Sequence, residues 1–209
     1  MIRVLIADDH AIVRKGLTQI LKDEYPSAQV EEVSNVEELI GMVVHHDWDV
    51  IICDISMPGR SGMEALPQIK QLKPAIPVLI MSMHSEDQYA IRAFKAGASG
   101  YLNKDTVHEE LIAAVKMIRL GRKYITNTIA EKLANSLKND GNRMLHEYLS
   151  DREFDVFKML AEGKSVSEIA DKLSLSPTTV STYRSRILDK MNMKTNADIT
   201  RYAITYELI

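Results

Sequence analysis

The sequence predicts an α/β chain, a doubly wound five-stranded parallel sheet, followed by a small all-α domain. Three observations carry this. From the start to about residue 122, short β-rich apolar runs alternate with segments of helical period, the rhythm of βαβ units. Residues Lys138 to Arg143 carry no apolar side chain and include a Gly and two Asn, so they read as an exposed linker. Beyond that linker every segment has helical period and no strand run appears.

Taken in order, Arg3 to Ala7, Val50 to Cys53, Val78 to Met81 and Gly100 to Leu102 are continuous apolar runs, as strands covered on both faces require. Val30 to Val33 is a weaker fifth strand. Segments near 11–24, 35–46, 61–73, 86–96 and 106–120 separate the strands as helices; in the last, Leu111, Ile112, Val115 and Ile118 share one face. Past the linker, Ser150 begins a capping box with Glu153, and Gly163 stands where a glycine ends that helix. Val166, Ile169, Ala170 and Leu173 mark the next helix. A turn follows at Ser174 and Leu175, and Ser176 caps a third helix with Pro177 at its first position. The expected organisation is one domain over 1–122, a linker with a short helix over 123–146, and a second domain over 147–209.

Composition bounds the function. The chain has 209 residues, enough for two modest domains with cores, and 26 basic against 29 acidic residues give a net charge of −3. Near-neutral charge excludes only indiscriminate polycation behaviour, and a local basic patch can still bind nucleic acid. Cys53 is the only cysteine, which excludes an internal disulfide framework and a Cys-rich zinc site. Apolar residues never run beyond about five, far short of the roughly 18 needed to span a bilayer. The start, Met1 to Asp9, sets a charge before and two after its apolar run, unlike a secretory signal. A cytoplasmic protein without a membrane partner is expected.

Ligands of an open α/β sheet sit beyond the carboxyl ends of its strands, near the switch in strand order. Here the first strand ends in Asp8-Asp9, the next clear one in Asp54, the next in Ser82, and the last leads to Lys104. Three carboxylates together repel unless a hard divalent cation sits among them, and Mg²⁺ prefers a few carboxylates with waters and phosphate oxygens. Asp54 beside such an ion is a nucleophile toward phosphorus, with the Lys104 ammonium and the Ser82 hydroxyl neutralising the equatorial oxygens. Each residue alone has a plainer use. Asp8 or Asp9 would cap a helix, Asp54 would cap a turn into Pro58-Gly59, and Lys104 would be solvated. Their joint placement at successive strand ends favours the phosphoryl site. His45-His46 point to different sides of a helix and make a poor metal site. Cys53 reads as a small core residue and the eleven Met as packing.

The combination Asp8-Asp9-His10, Asp54-Ile55-Ser56-Met57-Pro58-Gly59-Arg60-Ser61-Gly62, Ser82 and Gly100-Tyr101-Leu102-Asn103-Lys104 resembles the flavodoxin-like receiver domain of bacterial two-component response regulators. The resemblance implies that a sensor histidine kinase phosphorylates Asp54. It also implies that Asp9, Asp54 and the Ser56 carbonyl bind Mg²⁺ directly, that Asp8 acts through water, and that Ser82 and Tyr101 form the switch. Asp105 stands where a Pro often follows the Lys. His84 and Ser56 flank the expected phosphate and are candidates for setting its lifetime; solvent-facing loop positions are the alternative.

In the second domain the segment from Ser165 has helix-turn-helix spacing, and the second helix of that motif enters the DNA major groove. Along the helix from Pro177, Val180, Tyr183, Ile187 and Met191 form one apolar face, with Thr178, Ser181, Thr182 and Ser185 opposite and Arg184 and Arg186 at the margins. Residues 176–194 hold four basic residues against one acid, Asp189, whereas 145–209 hold nine basic and ten acidic, so positive charge is concentrated on this helix. On charge alone a solvated bundle face is an equal reading. Leu149-Ser150-Asp151-Arg152-Glu153, Gly163-Lys164-Ser165, Glu168-Ile169-Ala170, Leu173-Ser174-Leu175-Ser176 and Thr179-Val180 resemble the LuxR/NarL-type DNA-binding domain. That resemblance implies that Ser181, Thr182 and Ser185 face bases of double-stranded DNA, with Thr178, Arg184 and Arg186 near phosphates. Many members carry Lys where Ser181 stands and His where Tyr183 stands, so an operator sequence does not transfer from relatives. The last helix, with Ala197, Tyr202, Ala203 and Ile204, resembles the family's dimerisation helix; packing within one subunit is the open alternative.

The expectation is therefore a transcription regulator in which phosphorylation of Asp54 favours a homodimer and sequence-specific DNA binding. It is not an enzyme beyond assisting its own phosphoryl transfer and dephosphorylation. An Asp-nucleophile Mg-dependent phosphatase would carry a second Asp two residues after the nucleophile, where Ser56 stands. A regulator controlled by protein contacts without phosphorylation is the other alternative, against which the intact Asp8, Asp9, Asp54 and Lys104 argue.

Overall fold

The computed structural model describes residues 1–83, 86–127, 129–131 and 144–209, with backbone alone at 86–88. His84, the predicted linker from Lys138 to Arg143, and most of the predicted linker helix lie outside the described residues. The chain divides into two compact units, 1–135 and 136–209.

The first unit alternates strand and helix throughout: β1 (Arg3–Ala7), α1 (Ala11–Glu24), β2 (Gln29–Val33), α2 (Val36–His45), β3 (Val50–Asp54), α3 (Gly62–Leu72), β4 (Val78–Ser82), α4 (Glu86–Lys95), β5 (Gly100–Asn103) and α5 (Val107–Arg119). All pairings are parallel and the order is β2-β1-β3-β4-β5, so the order reverses between β1 and β3. Every residue of β3 and β4 is buried, which is why their sequence is an unbroken apolar run. Val4, Ile6, Val50, Ile52, Leu79, Met81 and Leu102 pack against Leu17 and Leu21 of α1 and Leu111, Ala114, Val115 and Ile118 of α5. The alternate residues Leu5, Ile51, Ile80 and Tyr101 are fully buried on the other face. β2 is an edge strand with Glu31 and Glu32 exposed, and this mixed edge pattern is what weakens its signal in the sequence. Chain order continues past residue 122. Tyr124 bridges Gly100 beside β5, and its hydroxyl donates to Glu110 Oε2 at 2.9 Å.

The second unit holds a 3₁₀ turn (Leu145–Tyr148), α6 (Asp151–Ala161), α7 (Val166–Leu173), α8 (Pro177–Lys190) and α9 (Asn196–Thr205). α6 packs against each of the other three helices, so Phe154, Val156, Phe157 and Leu160 are buried together with Arg152 and Glu153. The capping box at Ser150 is present, and Gly163, at φ 85°, closes the helix with its N–H on Leu160 and the Lys164 N–H on Met159. Further boxes start α7 at Ser165 and α9 at Thr195, while Ser176 accepts from the Thr179 N–H with Pro177 at the first helical position of α8. The α7–α8 turn is made at Ser174 in the left-handed region, φ 54° and ψ 45°.

Candidate functional site

The reversal between β1 and β3 leaves a crevice at their carboxyl ends, and the pairing of Ala7 with Cys53 sets Asp8 and Asp54 at one level. Asp8 is fully buried, Asp54 nearly so and Asp9 half-buried. One ligand atom from each of Asp8, Asp9, His10 and Asp54 lies within 4.8 Å of the others. Neither Asp8 nor Asp9 caps α1. The N-cap is His10, without a side-chain bond, and the Asp8 carboxylate instead accepts the His10 backbone N–H at 2.8 Å.

Lys104 follows β5, and its N–H bonds to the Ser82 carbonyl at 2.9 Å. This pins both residues at the same end of the sheet. Its ammonium stands 2.7 Å from Asp8 Oδ2 and 2.7 Å from Asp54 Oδ2. This one cation thus contacts two of the three carboxylates of the site. Burial pushes the Asp54 carboxyl above its usual range, with Asp8 adding to the rise, and Lys104 and the Ser56 amide offset this only in part. Burial alone would lower the Lys104 ammonium, but Asp54 and Asp8 outweigh it and raise it. Asp8 Oδ2 and Asp9 Oδ1 are buried and accept no aligned hydrogen bond. A divalent cation among these oxygens would supply the missing positive charge, so the residues present fit a hard metal ion.

Ser82 ends β4 and is buried; Tyr101 lies in β5 with its ring fully buried; Ser56 is exposed in the loop after Asp54. Burial, with Asp54 and Asp8, pushes the Cys53 thiol up, so Cys53 is an inert core side chain.

Two contacts escaped the sequence reading. Arg14 Nη1 donates to the Asp8 carbonyl at 2.7 Å and its Nε to Glu32 at 3.2 Å, tying the end of β1 to α1 and β2. Its only signal was a basic residue one turn after the acidic pair. At Gly62 a Cβ would sit 2.0 Å from the Asp54 carbonyl oxygen and 2.8 Å from Cys53 Sγ, so α3 approaches the end of β3 closely because this residue has no side chain.

In the second unit, Val180, Ile187 and Met191 are buried, and Thr178, Ser181, Thr182, Ser185 and Arg186 are exposed, so α8 is two-faced as its spacing predicts. Tyr183 is half-buried. Two of the basic residues counted toward the local positive charge are engaged. Arg184 Nε donates to Asn196 Oδ1 at 2.7 Å, and Lys190 Nζ to the buried Glu153 Oε2 at 2.6 Å. On α9, Ala203 is buried and Tyr202 packs against Phe157 and His146, whereas Ala197 and Ile204 are exposed.

Residues 4–116 match the response regulator receiver domain, and residues 147–203 match the bacterial regulatory proteins of the luxR family. The chain belongs to the two-component response regulators. Over 209 residues this regulator is 34% identical to Response regulator UvrY of Escherichia coli (strain K12), covering 100% of this chain and 96% of that one. It is 33% identical to Response regulator GacA of Pseudomonas aeruginosa, covering 100% and 98%. Among solved structures, RcsB from Salmonella enterica serovar Typhimurium, bound to promoter P1flhDC in the presence of the phosphomimetic BeF₃⁻, aligns with a TM-score of 0.60 at 26% identity over 96% of this chain and 97% of that one. The regulator therefore couples a receiver to a LuxR-type DNA-binding domain, an architecture of transcription regulation. Among the described residues no helix is long and apolar enough to cross a membrane.

Proposed function

We propose that Asp54 is the phosphoacceptor of this regulator and that its phosphorylation by a sensor histidine kinase controls dimerisation and sequence-specific DNA binding. The carrying observation is the placement of Asp54 at the strand-order reversal, between two further aspartates and a lysine that contacts both Asp8 and Asp54 at 2.7 Å. A carboxylate oxygen of Asp54 attacks phosphorus, the P–N bond to the kinase imidazole breaks, and the imidazole leaves and takes up a proton. Asp9, Asp54 and the Ser56 carbonyl would hold Mg²⁺, with Asp8 acting through water. The ion, when bound, supplies charge neutralisation for the entering phosphoryl oxygens.

Lys104 exchanges its contact with the Asp54 oxygen for one with the transferred group. Ser82 donates its hydroxyl to a second phosphoryl oxygen, and the Tyr101 ring, buried here, fills the space that this movement leaves, altering the face around α4 and α5. Exposed Ile12 and Met83 rim a cleft beside Lys104 and offer an apolar landing for the kinase.

The domains of this reading are a receiver over 1–122, a connecting segment over 123–146 and a DNA-binding domain over 147–209, acting in the cytoplasm. Ser181, Thr182 and Ser185 meet base edges, and Thr178, Arg184 and Arg186 meet phosphates. Arg186, like Lys194, is exposed, whereas Arg184 and Lys190 have protein partners. The test is intact mass after incubation with a small phosphodonor and Mg²⁺. One phosphoryl adduct on the wild type and none on Asp54→Ala supports the assignment. No adduct with any donor favours control by protein contacts instead.

A further inference from the structure

We propose that Asn196, the first residue of α9, is a positioning residue for DNA: it holds the Arg184 guanidinium as a fixed and still charged donor to a backbone phosphate. This rests on the DNA-binding reading above and adds to it the group through which Arg184 acts. The three basic residues of α8 differ in what holds them. Lys190 meets the carboxylate of the buried Glu153, so its charge is answered within the protein. Arg186 is exposed. Arg184 is half-buried, and its Nε donates to Asn196 Oδ1 at 2.7 Å, from α8 to the start of α9. An amide carries no charge, so this bond fixes the guanidinium without neutralising it.

Donor chemistry makes the contact directional. A guanidinium only donates, so Asn196 must turn its carbonyl oxygen toward Arg184, which leaves its NH₂ as a donor. Among the described residues neither Nη of Arg184 nor Nδ2 of Asn196 meets a protein acceptor. The planar nitrogens of Arg184 and the amide NH₂ beside them are the donors that phosphate oxygens take. The platform under Asn196 is ordered as well. Thr195 caps α9, and Asp198 Oδ2 accepts from the Lys194 and Thr195 amides at 3.2 and 3.0 Å and from the Thr195 hydroxyl at 2.9 Å, while Asp198 Oδ1 pairs with Arg201 at 3.0 Å. A guanidinium held this way gives up little rotamer freedom when it meets an anion. The alternative is a staple that only ties α9 to α8, and a staple works as well or better with a carboxylate at 196.

The two are separated by Asn196→Asp, which keeps an acceptor for Arg184 and suits the first turn of a helix but replaces the NH₂ donor with an anion. Full-length wild type, Asn196→Asp, Asn196→Ala, Arg184→Ala and the double alanine variant, each treated with phosphodonor and Mg²⁺, are titrated with a random-sequence duplex pool between about 50 and about 200 mM salt. A melting curve shows that each is folded. We expect Asn196→Asp to lower affinity about tenfold or more and the salt slope by about 1, Arg184→Ala to lower the slope by the same amount, and Asn196→Ala to lower affinity about three- to tenfold. The double variant should bind no worse than Arg184→Ala alone, since the amide acts through the guanidinium. Asn196→Asp binding as wild type does, with an unchanged slope, makes the bond a staple and overturns the proposal, as does an unchanged slope for Arg184→Ala. If wild type itself retains no duplex, the DNA-binding reading falls and the proposal with it.

Discussion

At Asp54 the charges do not balance without a cation, and this has a measurable consequence. Burial holds the folded carboxyl above its ordinary value despite Lys104. A carboxyl that keeps its proton more tightly when folded costs stability once the pH rises past its unfolded pKa, about 4, and costs nothing below it. Asp54→Asn in metal-free protein should therefore raise the melting temperature by a few degrees at neutral pH, the gain vanishing as pH falls below about 4; a loss at neutral pH would contradict the account. Mg²⁺ should stabilise the wild type more than the variant, through preferential binding to the folded state. Gly62→Ala should cost about 1–3 kcal/mol in urea unfolding, because the added methyl meets the Asp54 carbonyl and backbone must move. Asp8, Asp9, Asp54, Ser82 and Lys104 were legible in the sequence because strand ends place polar residues together. Arg14 and the Gly62 approach were not, since each depends on a contact between elements that no periodicity encodes.

The elements were legible where local chemistry and burial agree. β3 and β4 read as unbroken apolar runs, and the boxes at Ser150 and Ser165 announced α6 and α7. The capacity of Asp8 to start α1 was a false lead, because its carboxylate accepts an N–H one residue before the helix. The basic charge of α8 also needed the structure. Lys190 serves Glu153, whose carboxyl burial would raise but which Lys190 and Ser150 together hold below its usual range. That contribution is present above the unfolded pKa, near 4.5, and is lost as pH falls through the lower folded value. Lys190→Met should lower stability by about 0.5–1.5 kcal/mol at neutral pH, by denaturant midpoint, and by progressively less in acid, since the Lys190 side chain is partly open to solvent. An unchanged midpoint would show that Lys190 is solvated. Arg186→Ala should instead leave stability within about 0.5 kcal/mol and reduce the salt slope of DNA binding by about 1. A slope equal to that of wild type would remove Arg186 from the phosphate contacts.

For the whole molecule, the two grammars of the sequence correspond to two compact units and to two family matches, 4–116 and 147–203. The cluster of polar strand ends in the first half and the two-faced helix α8 in the second were each legible alone, because each follows from residue spacing within one unit. If the unphosphorylated receiver masks α8, removing residues 1–142 should give DNA binding that needs no phosphodonor; a fragment no better than the unphosphorylated chain would exclude masking. The most direct test of the central claim is retention of a random-sequence duplex pool by wild type and Asp54→Ala, each with and without phosphodonor and Mg²⁺, with oligomeric state recorded on the same samples. Phosphodonor should raise retention at least tenfold and shift wild type alone from monomer to dimer. Equal retention by both proteins with and without the donor would contradict control through Asp54.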